Sequence, residues 1–95
     1  MSPDSVNLCD SISIPAEVMA RQVGDETVIL DLASGTYFGL DCMGSHIWQL
    51  IGTGREVAEI RNILLAEYEV SSEVLDRDLL ALLRELNSLG LIGKG

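Results

Sequence analysis

The sequence predicts a small α+β domain in which three or four short strands precede three helices. Two observations support this fold class. In the first forty residues apolar positions alternate with polar ones between turn signals, and after Leu40 they recur at the helical spacing of 3.6 residues. The chain has 95 residues, 47% of them hydrophobic and 22% charged, which suits one folded core and leaves no room for a second. We therefore expect a single domain with the sheet first and the helices second.

Four runs in the first forty residues have the composition of strands. The residues before them, 1–11, are polar and without pattern, and we expect a flexible N-terminal arm there. The strand runs are 12–14, 18–23, 27–32 and 36–40. The third run has the strongest pattern, and its alternation places Val28 and Leu30 on the face opposite Ile29.

The fourth run, 36–40, is short and contains Gly39. A glycine inside a strand suits a sheet edge, or a place where a second backbone approaches closely. Phe38 and Leu40 share one face of this strand, and Tyr37 points to the other. An edge strand offers unpaired N–H and C=O groups to which an extended peptide can add as another strand. The sequence therefore predicts a peptide-binding edge at this run.

Three helices are predicted after Leu40, and each has boundary signals of its own. The expected spans are 42–51, 54–68 and 72–89, and the expected N-caps are Asp41, Thr53 and Ser71. Thr53 and Glu56 have the T-x-x-E spacing of a capping box. Glycines follow the first and third spans, where helices commonly end.

The third helix has one apolar stripe. Its members are Leu75, Leu79, Leu82, Leu86 and Leu89. They fall within a band about 80° wide on a helical projection, which predicts that this face is buried. Leu80 lies outside the stripe, so it must cover another element or meet another molecule.

The charge of the chain excludes two classes of partner. Fifteen acidic residues against six basic ones leave a formal net charge of −9. Six dispersed cations cannot supply the phosphate contacts that give nucleic-acid binders their affinity, and an anionic membrane surface would repel the chain. The third helix itself has a net negative charge, so the phosphates of DNA would repel it. A winged-helix DNA-binding or adaptor protein is therefore the second hypothesis, behind peptide binding.

Candidate catalytic and metal-binding residues are few. Cys42 and His46 are four residues apart and share a helix face, but nucleophilic catalysis also needs an orienting group and an oxyanion hole. Cys9 and Cys42 form neither a disulfide framework nor a metal-binding spacing. We expect reduced thiols in a cytoplasmic protein that is not an enzyme and holds no cofactor and no metal. No secretory signal or membrane-spanning run is recognised.

Five segments, taken in their order along the chain, resemble the PqqD-like family, the precursor recognition elements of RiPP (ribosomally made, modified peptide) biosynthesis. The segments are Thr27–Asp41, Gly44–Trp48, Ala66–Val70, Asp78–Leu86 and Gly90–Ile92. The resemblance covers about residues 12–92 and is strongest to the stand-alone recognition proteins of lasso-peptide clusters. It implies a winged-helix-like fold with a three-stranded antiparallel sheet followed by three helices.

The resemblance also implies a function. In this family the leader segment of a precursor peptide, often with a Tyr-x-x-Pro motif, binds as an added strand against the third strand and the third helix. The recognition protein then delivers the precursor to a separate cysteine-protease-like leader peptidase and an ATP-dependent cyclase. The expected peptide-binding residues are Thr36, Tyr37, Phe38, Gly39, Leu40, Val74, Asp78, Ala81 and Leu82. The alternative wall of the third helix consists of Asp76, Leu80 and Leu83.

Overall fold

Eight elements follow one another in residues 11–94, the part of the chain that this computed structural model describes. They are β1 (Ile12–Ser13), β2 (Val18–Val23), β3 (Glu26–Asp31), β4 (Tyr37–Leu40), α1 (Cys42–Ile51), α2 (Val57–Glu67), α3 (Ser72–Ser88) and β5 (Gly93–Lys94). The predicted α+β class, with a three-stranded antiparallel sheet before three helices, is confirmed. The expected arm lies outside the described residues except for Ser11, which forms an isolated bridge to Glu56.

The main sheet has the strand order β2–β3–β4, so β2 and β4 are its edges. Both pairings are antiparallel, and their register aligns residues in rows across the three strands. One row contains Ala20, Ile29 and Phe38, and the next contains Met19, Leu30 and Tyr37. The first predicted strand does not join this sheet. It forms β1 and pairs with β5 near the end of the chain.

The helices cover only one face of the sheet. Ile29, Thr27 and Leu40 are buried on that inner face, where α1 packs against β3 and β4. On the outer face Val28 and Leu30 remain 42% and 37% exposed, although both are as apolar as Ile29. Alternation in the sequence therefore separates the two faces correctly, but it does not show which one the helices cover.

Two of the three helix starts agree with the sequence. The Asp41 side chain accepts a hydrogen bond from the Gly44 N–H at 2.8 Å, and the Ser71 hydroxyl accepts one from the Val74 N–H at 3.3 Å. These bonds satisfy backbone donors that the first turn of a helix leaves free.

The predicted start of α2 is wrong. The helix begins at Val57, and its capping box is formed by Glu56 and Glu59 rather than by Thr53 and Glu56. Gly54 has a φ of 79°, a left-handed conformation that is incompatible with a right-handed helix, so α2 starts only after it. The Thr53 hydroxyl donates instead to the Leu50 carbonyl at 2.6 Å, at the end of α1. Thr53 therefore belongs to the C-terminal end of α1.

The core lies between the inner face of the sheet and the three helices. Its fully buried large residues are Ile29, Ile51, Val57, Ile60, Leu64, Leu79, Leu83, Leu86 and Leu91. On α3 the buried stripe is Leu75, Leu79, Leu83 and Leu86, so it lies to one side of the predicted one. Leu82 is only half-buried and Leu89 is exposed. None of the helices described in residues 11–94 is long and apolar enough to cross a membrane.

Candidate functional site

A groove lies between β4 and α3, with α1 beneath it. It encloses a cavity of about 570 Å³. The lining residues are Phe38, Gly39, Leu40, Asp41, Met43, Gly44, Ile47, Val70, Val74, Leu75, Asp78, Leu79 and Leu82. Most of these side chains are apolar, and the charged ones are the carboxylates Asp41 and Asp78. The groove therefore favours an apolar ligand with polar atoms near its rim.

One face of α3 forms the helical wall of the groove. Val74, Asp78 and Leu82 are spaced four residues apart, which places their side chains in one row along the helix. Leu75 and Leu79, beside this row, are buried and hold α3 against the core. Ala81 is exposed and does not line the cavity.

The opposite side of α3 is occupied by contacts within the protein. Arg61 Nε on α2 lies 2.7 Å from Asp76 Oδ1, with both side chains 28% exposed. Leu83 is fully buried, and Leu80 packs against the core. The alternative wall of Asp76, Leu80 and Leu83 therefore faces the protein interior and α2 rather than the groove.

The backbone of β4 is open along one side. Among the described residues β4 pairs only with β3. The N–H of Asp31 donates to the C=O of Thr36 at 2.8 Å, and hydrogen-bonded pairs alternate along an antiparallel ladder. Phe38 and Leu40 therefore direct their backbone groups to β3. Tyr37 and Gly39 direct theirs outward, which leaves two donors and two acceptors on the free edge.

The side chains of β4 divide between the two faces of the sheet. Leu40 is buried and Phe38 is half-buried, and both line the groove. Tyr37 lies on the outer face and is 74% exposed. Thr36 precedes the strand and belongs to the turn, where its N–H donates to the Ser34 hydroxyl at 3.2 Å.

The structure thus brings six of the nine expected site residues to the groove. They are Phe38, Gly39, Leu40, Val74, Asp78 and Leu82. Sequence analysis missed the base of the groove, where Met43 and Ile47 of α1 line the cavity. Their helical spacing predicts an apolar face, but nothing in a spacing shows that part of this face is left uncovered.

Cys42 and His46 lie on another side of α1, away from the groove. The Nδ1 atom of His46 lies 3.3 Å from the Tyr68 hydroxyl and 3.3 Å from Glu67 Oε2. Desolvation raises the pKa of Tyr68, and the nearby charges of Cys42, Glu67 and Asp41 raise it further. These contacts link α1 to the end of α2.

Comparison with known proteins gives one family and two similar structures. The sequence profile described as Coenzyme PQQ synthesis protein D (PqqD) matches residues 26–92. The structure of TbiB1 in complex with the TbiA(beta) leader peptide is 41% identical in sequence, with a TM-score of 0.80; the match covers 84% of this chain and 93% of that one.

The second similar structure is lasso peptide synthetase B1 complexed with the leader peptide. It is 29% identical, with a TM-score of 0.78, and the match covers 86% of this chain and 96% of that one. No curated protein matches the sequence. The profile match spans well over half of the chain, and it includes β3, β4 and all three helices. The chain belongs to the PqqD family.

Proposed function

We propose that this protein binds the leader segment of a ribosomally made precursor peptide of the lasso-peptide type. The leader adds as a strand to β4 and lies between this strand and α3. The open edge of β4 beside an apolar groove is the observation on which the proposal depends. The two similar structures, both solved with leader peptides, support it. The second hypothesis, a DNA-binding or adaptor protein, has no comparable support.

The binding energy comes from backbone pairing and from apolar burial. Tyr37 and Gly39 each offer one donor and one acceptor, and every hydrogen bond formed contributes about 0.5–1.5 kcal/mol net. Leader side chains that point inward, at the level of Phe38, enter the groove and contact Val74 and Leu82. Thr36 and Ala81 do not line the cavity.

Gly39→Pro tests this binding mode. Proline removes one of the two outward donors of β4, so leader affinity should fall at least tenfold while the protein stays folded. Ala20→Pro is the matched control, because Ala20 is an exposed residue on the other sheet edge and its N–H also points outward. Affinity is measured by fluorescence anisotropy with the labelled leader of a lasso-peptide precursor from the same genome (the native leader), and folding by far-ultraviolet circular dichroism.

Two results would contradict the proposal. One is the absence of leader binding to the unmodified protein at micromolar concentrations. The other is an equal loss of affinity in Gly39→Pro and Ala20→Pro, because that would mean that the β4 edge has no special role.

We further propose that the protein acts by positioning, without catalysis of its own, in the cytoplasm where precursor peptides are made. It delivers the bound precursor to a separate cysteine-protease-like leader peptidase, and from there to an ATP-dependent cyclase. Holding the leader raises the concentration of the attached core peptide near the peptidase, to about the millimolar range for a short tether.

The outer face of the sheet is the proposed docking surface for the peptidase. Met19, Val28, Leu30 and Tyr37 are 58%, 42%, 37% and 74% exposed there. Apolar side chains grouped on one exposed face are typical of interaction sites, and Arg21, paired with Val28, adds a cation to this face. The face is continuous with the leader site, because β4 contributes to both.

Leu30→Lys tests the docking surface, and Leu89→Lys at the end of α3 is the control. The two leucines are 37% and 38% exposed, so the substitutions remove similar apolar surface. We expect Leu30→Lys to abolish co-elution with the peptidase on size-exclusion chromatography and to leave leader affinity unchanged. If Leu30→Lys and Leu89→Lys co-elute with the peptidase equally well, the docking surface lies elsewhere.

A further inference from the structure

Gly39 leaves a gap in the outer face of the sheet. Alternation along β4 directs position 39 to the same face as Tyr37, away from the groove. A Cβ placed at Gly39 would meet no atom within 4 Å. On the neighbouring strand Gly39 is paired with Val28, which is 42% exposed. At the β4 edge, the outer face of the sheet therefore has a position without a side chain, next to the partly exposed Val28.

A strand added to β4 would place a side chain over this gap. The residue paired with Gly39 on the added strand points to the outer face, because paired residues in a sheet share a face. Two strand spacings, about 10 Å in total, separate its Cα from the line of β3. A large side chain can lean across the glycine and reach Val28, whereas alanine or serine cannot. Aromatic side chains cover edge glycines in this way in other sheets.

We propose that Gly39 is a specificity-determining residue that selects leaders with a large apolar side chain at the position paired with it. That side chain covers Gly39 and packs against Val28 on the outer face. The inference rests on the proposed addition of the leader to β4, and it goes beyond the groove because it gives the opposite face of the sheet a part in leader recognition. The leader is thus held through both of its faces.

Gly39→Val fills the gap and tests the proposal. The open space around position 39 and the strand propensity of valine predict a folded protein. The native leader should bind this variant at least tenfold more weakly, because the new side chain occupies the place of the leader's own. Each leader residue is then replaced by glycine in turn, and each peptide is titrated against both proteins.

One leader position should give opposite results with the two proteins. Glycine there should weaken binding to the unmodified protein about tenfold and restore binding to Gly39→Val. Val28→Ala should lower the affinity for the native leader several-fold, although Val28 lies outside the groove. Val23→Ala, on the same face but on the far strand, should leave leader affinity unchanged.

Failure of this inference is distinguishable from failure of the proposed function. One outcome is that Gly39→Pro lowers the affinity for the native leader whereas Gly39→Val leaves it unchanged. In that case the leader adds to β4 without a side chain over Gly39. If Gly39→Val weakens every leader variant alike, the substitution disturbs pairing rather than selection, and the inference is also wrong. If no leader binds to the unmodified protein, the proposed function itself fails.

Discussion

Adjacent leucines of α3 have different roles. Leu82 lines the groove and is half-buried, whereas Leu83 is fully buried in the core. One step along a helix turns a side chain by about 100°, which is enough to move it from the groove to the interior. The two positions therefore separate the residues that bind from those that maintain the fold.

Leu82→Ala and Leu83→Ala form a matched pair of substitutions. We expect Leu82→Ala to weaken leader binding about tenfold with little loss of stability, since its side chain contacts the peptide. Leu83→Ala should lower the free energy of unfolding by about 2–5 kcal/mol, because it leaves a cavity in the core. Urea denaturation gives the stabilities and fluorescence anisotropy the affinities.

The reverse outcome would be informative. A loss of affinity in Leu83→Ala, measured under conditions where the variant is folded, together with an unaffected Leu82→Ala would place the leader on the other side of α3. The contact between Arg61 and Asp76 on that side would then have to open.

Among the elements, α1 connects the edge strand to the rest of the groove. Its N-cap, Asp41, directly follows β4. The Asp41 carboxylate accepts a hydrogen bond from the Gly44 N–H, and this bond closes the first turn of α1 beneath the groove. The position of the open edge relative to the helices thus depends on this cap. Gly44 has little spare room, because a Cβ there would lie 3.1 Å from a Leu40 side-chain carbon.

Asp41→Ala should lower the free energy of unfolding by about 1 kcal/mol, the usual value of a lost cap. Asp41→Asn should stay close to the unmodified protein, because asparagine caps helices about as well as aspartate. Urea denaturation measures both. Equal losses in the two variants would mean that the carboxylate charge rather than the cap stabilises α1.

Elements with local signals were predicted from the sequence, and those that depend on tertiary packing were not. The starts of α1 and α3 have side-chain caps of their own, at Asp41 and Ser71. The start of α2 is capped by Glu56 and Glu59 rather than by the predicted Thr53 and Glu56, and Gly54, with its left-handed conformation, precedes the helix. The short strand with Gly39 predicted the open edge at β4, whereas the residues of α3 came from the resemblance to a known family, since no spacing shows which face of that helix stays uncovered.

The buried face of a strand or helix was harder to predict than the residues at which it begins and ends. Both faces of β3 have apolar side chains, and burial of Ile29 rather than Leu30 depends on where the helices pack. The apolar stripe of α3 lies to one side of its predicted position for a related reason. Leu82 is apolar because it lines the groove, and composition cannot distinguish this from burial in the core.

At the scale of the whole molecule, charge opposes self-association. An open strand edge and an exposed apolar sheet face are both sites at which copies of a protein can aggregate. The formal net charge of −9 makes copies of the chain repel each other at long range. This repulsion opposes the pairing of two copies through their β4 edges.

The same charge distribution predicts how leader affinity responds to salt. Of the two carboxylates of the groove, Asp41 caps α1, and Asp78 is exposed to solvent with Arg77 Nε 3.5 Å away. Backbone pairing and apolar burial then supply most of the affinity, and neither is screened by ions. Raising NaCl from about 50 to about 500 mM should change the leader Kd by less than about threefold.

The salt titration uses fluorescence anisotropy with the native leader, and Asp78→Asn is the control. The variant should show the same shallow dependence, because the Asp78 side chain is 67% exposed and solvent screens its charge. A tenfold or greater weakening with salt that Asp78→Asn removes would show instead that a leader cation pairs with this carboxylate. A nucleic-acid binder would lose several orders of magnitude in affinity over such a range, so a shallow slope also separates peptide recognition from the DNA-binding alternative.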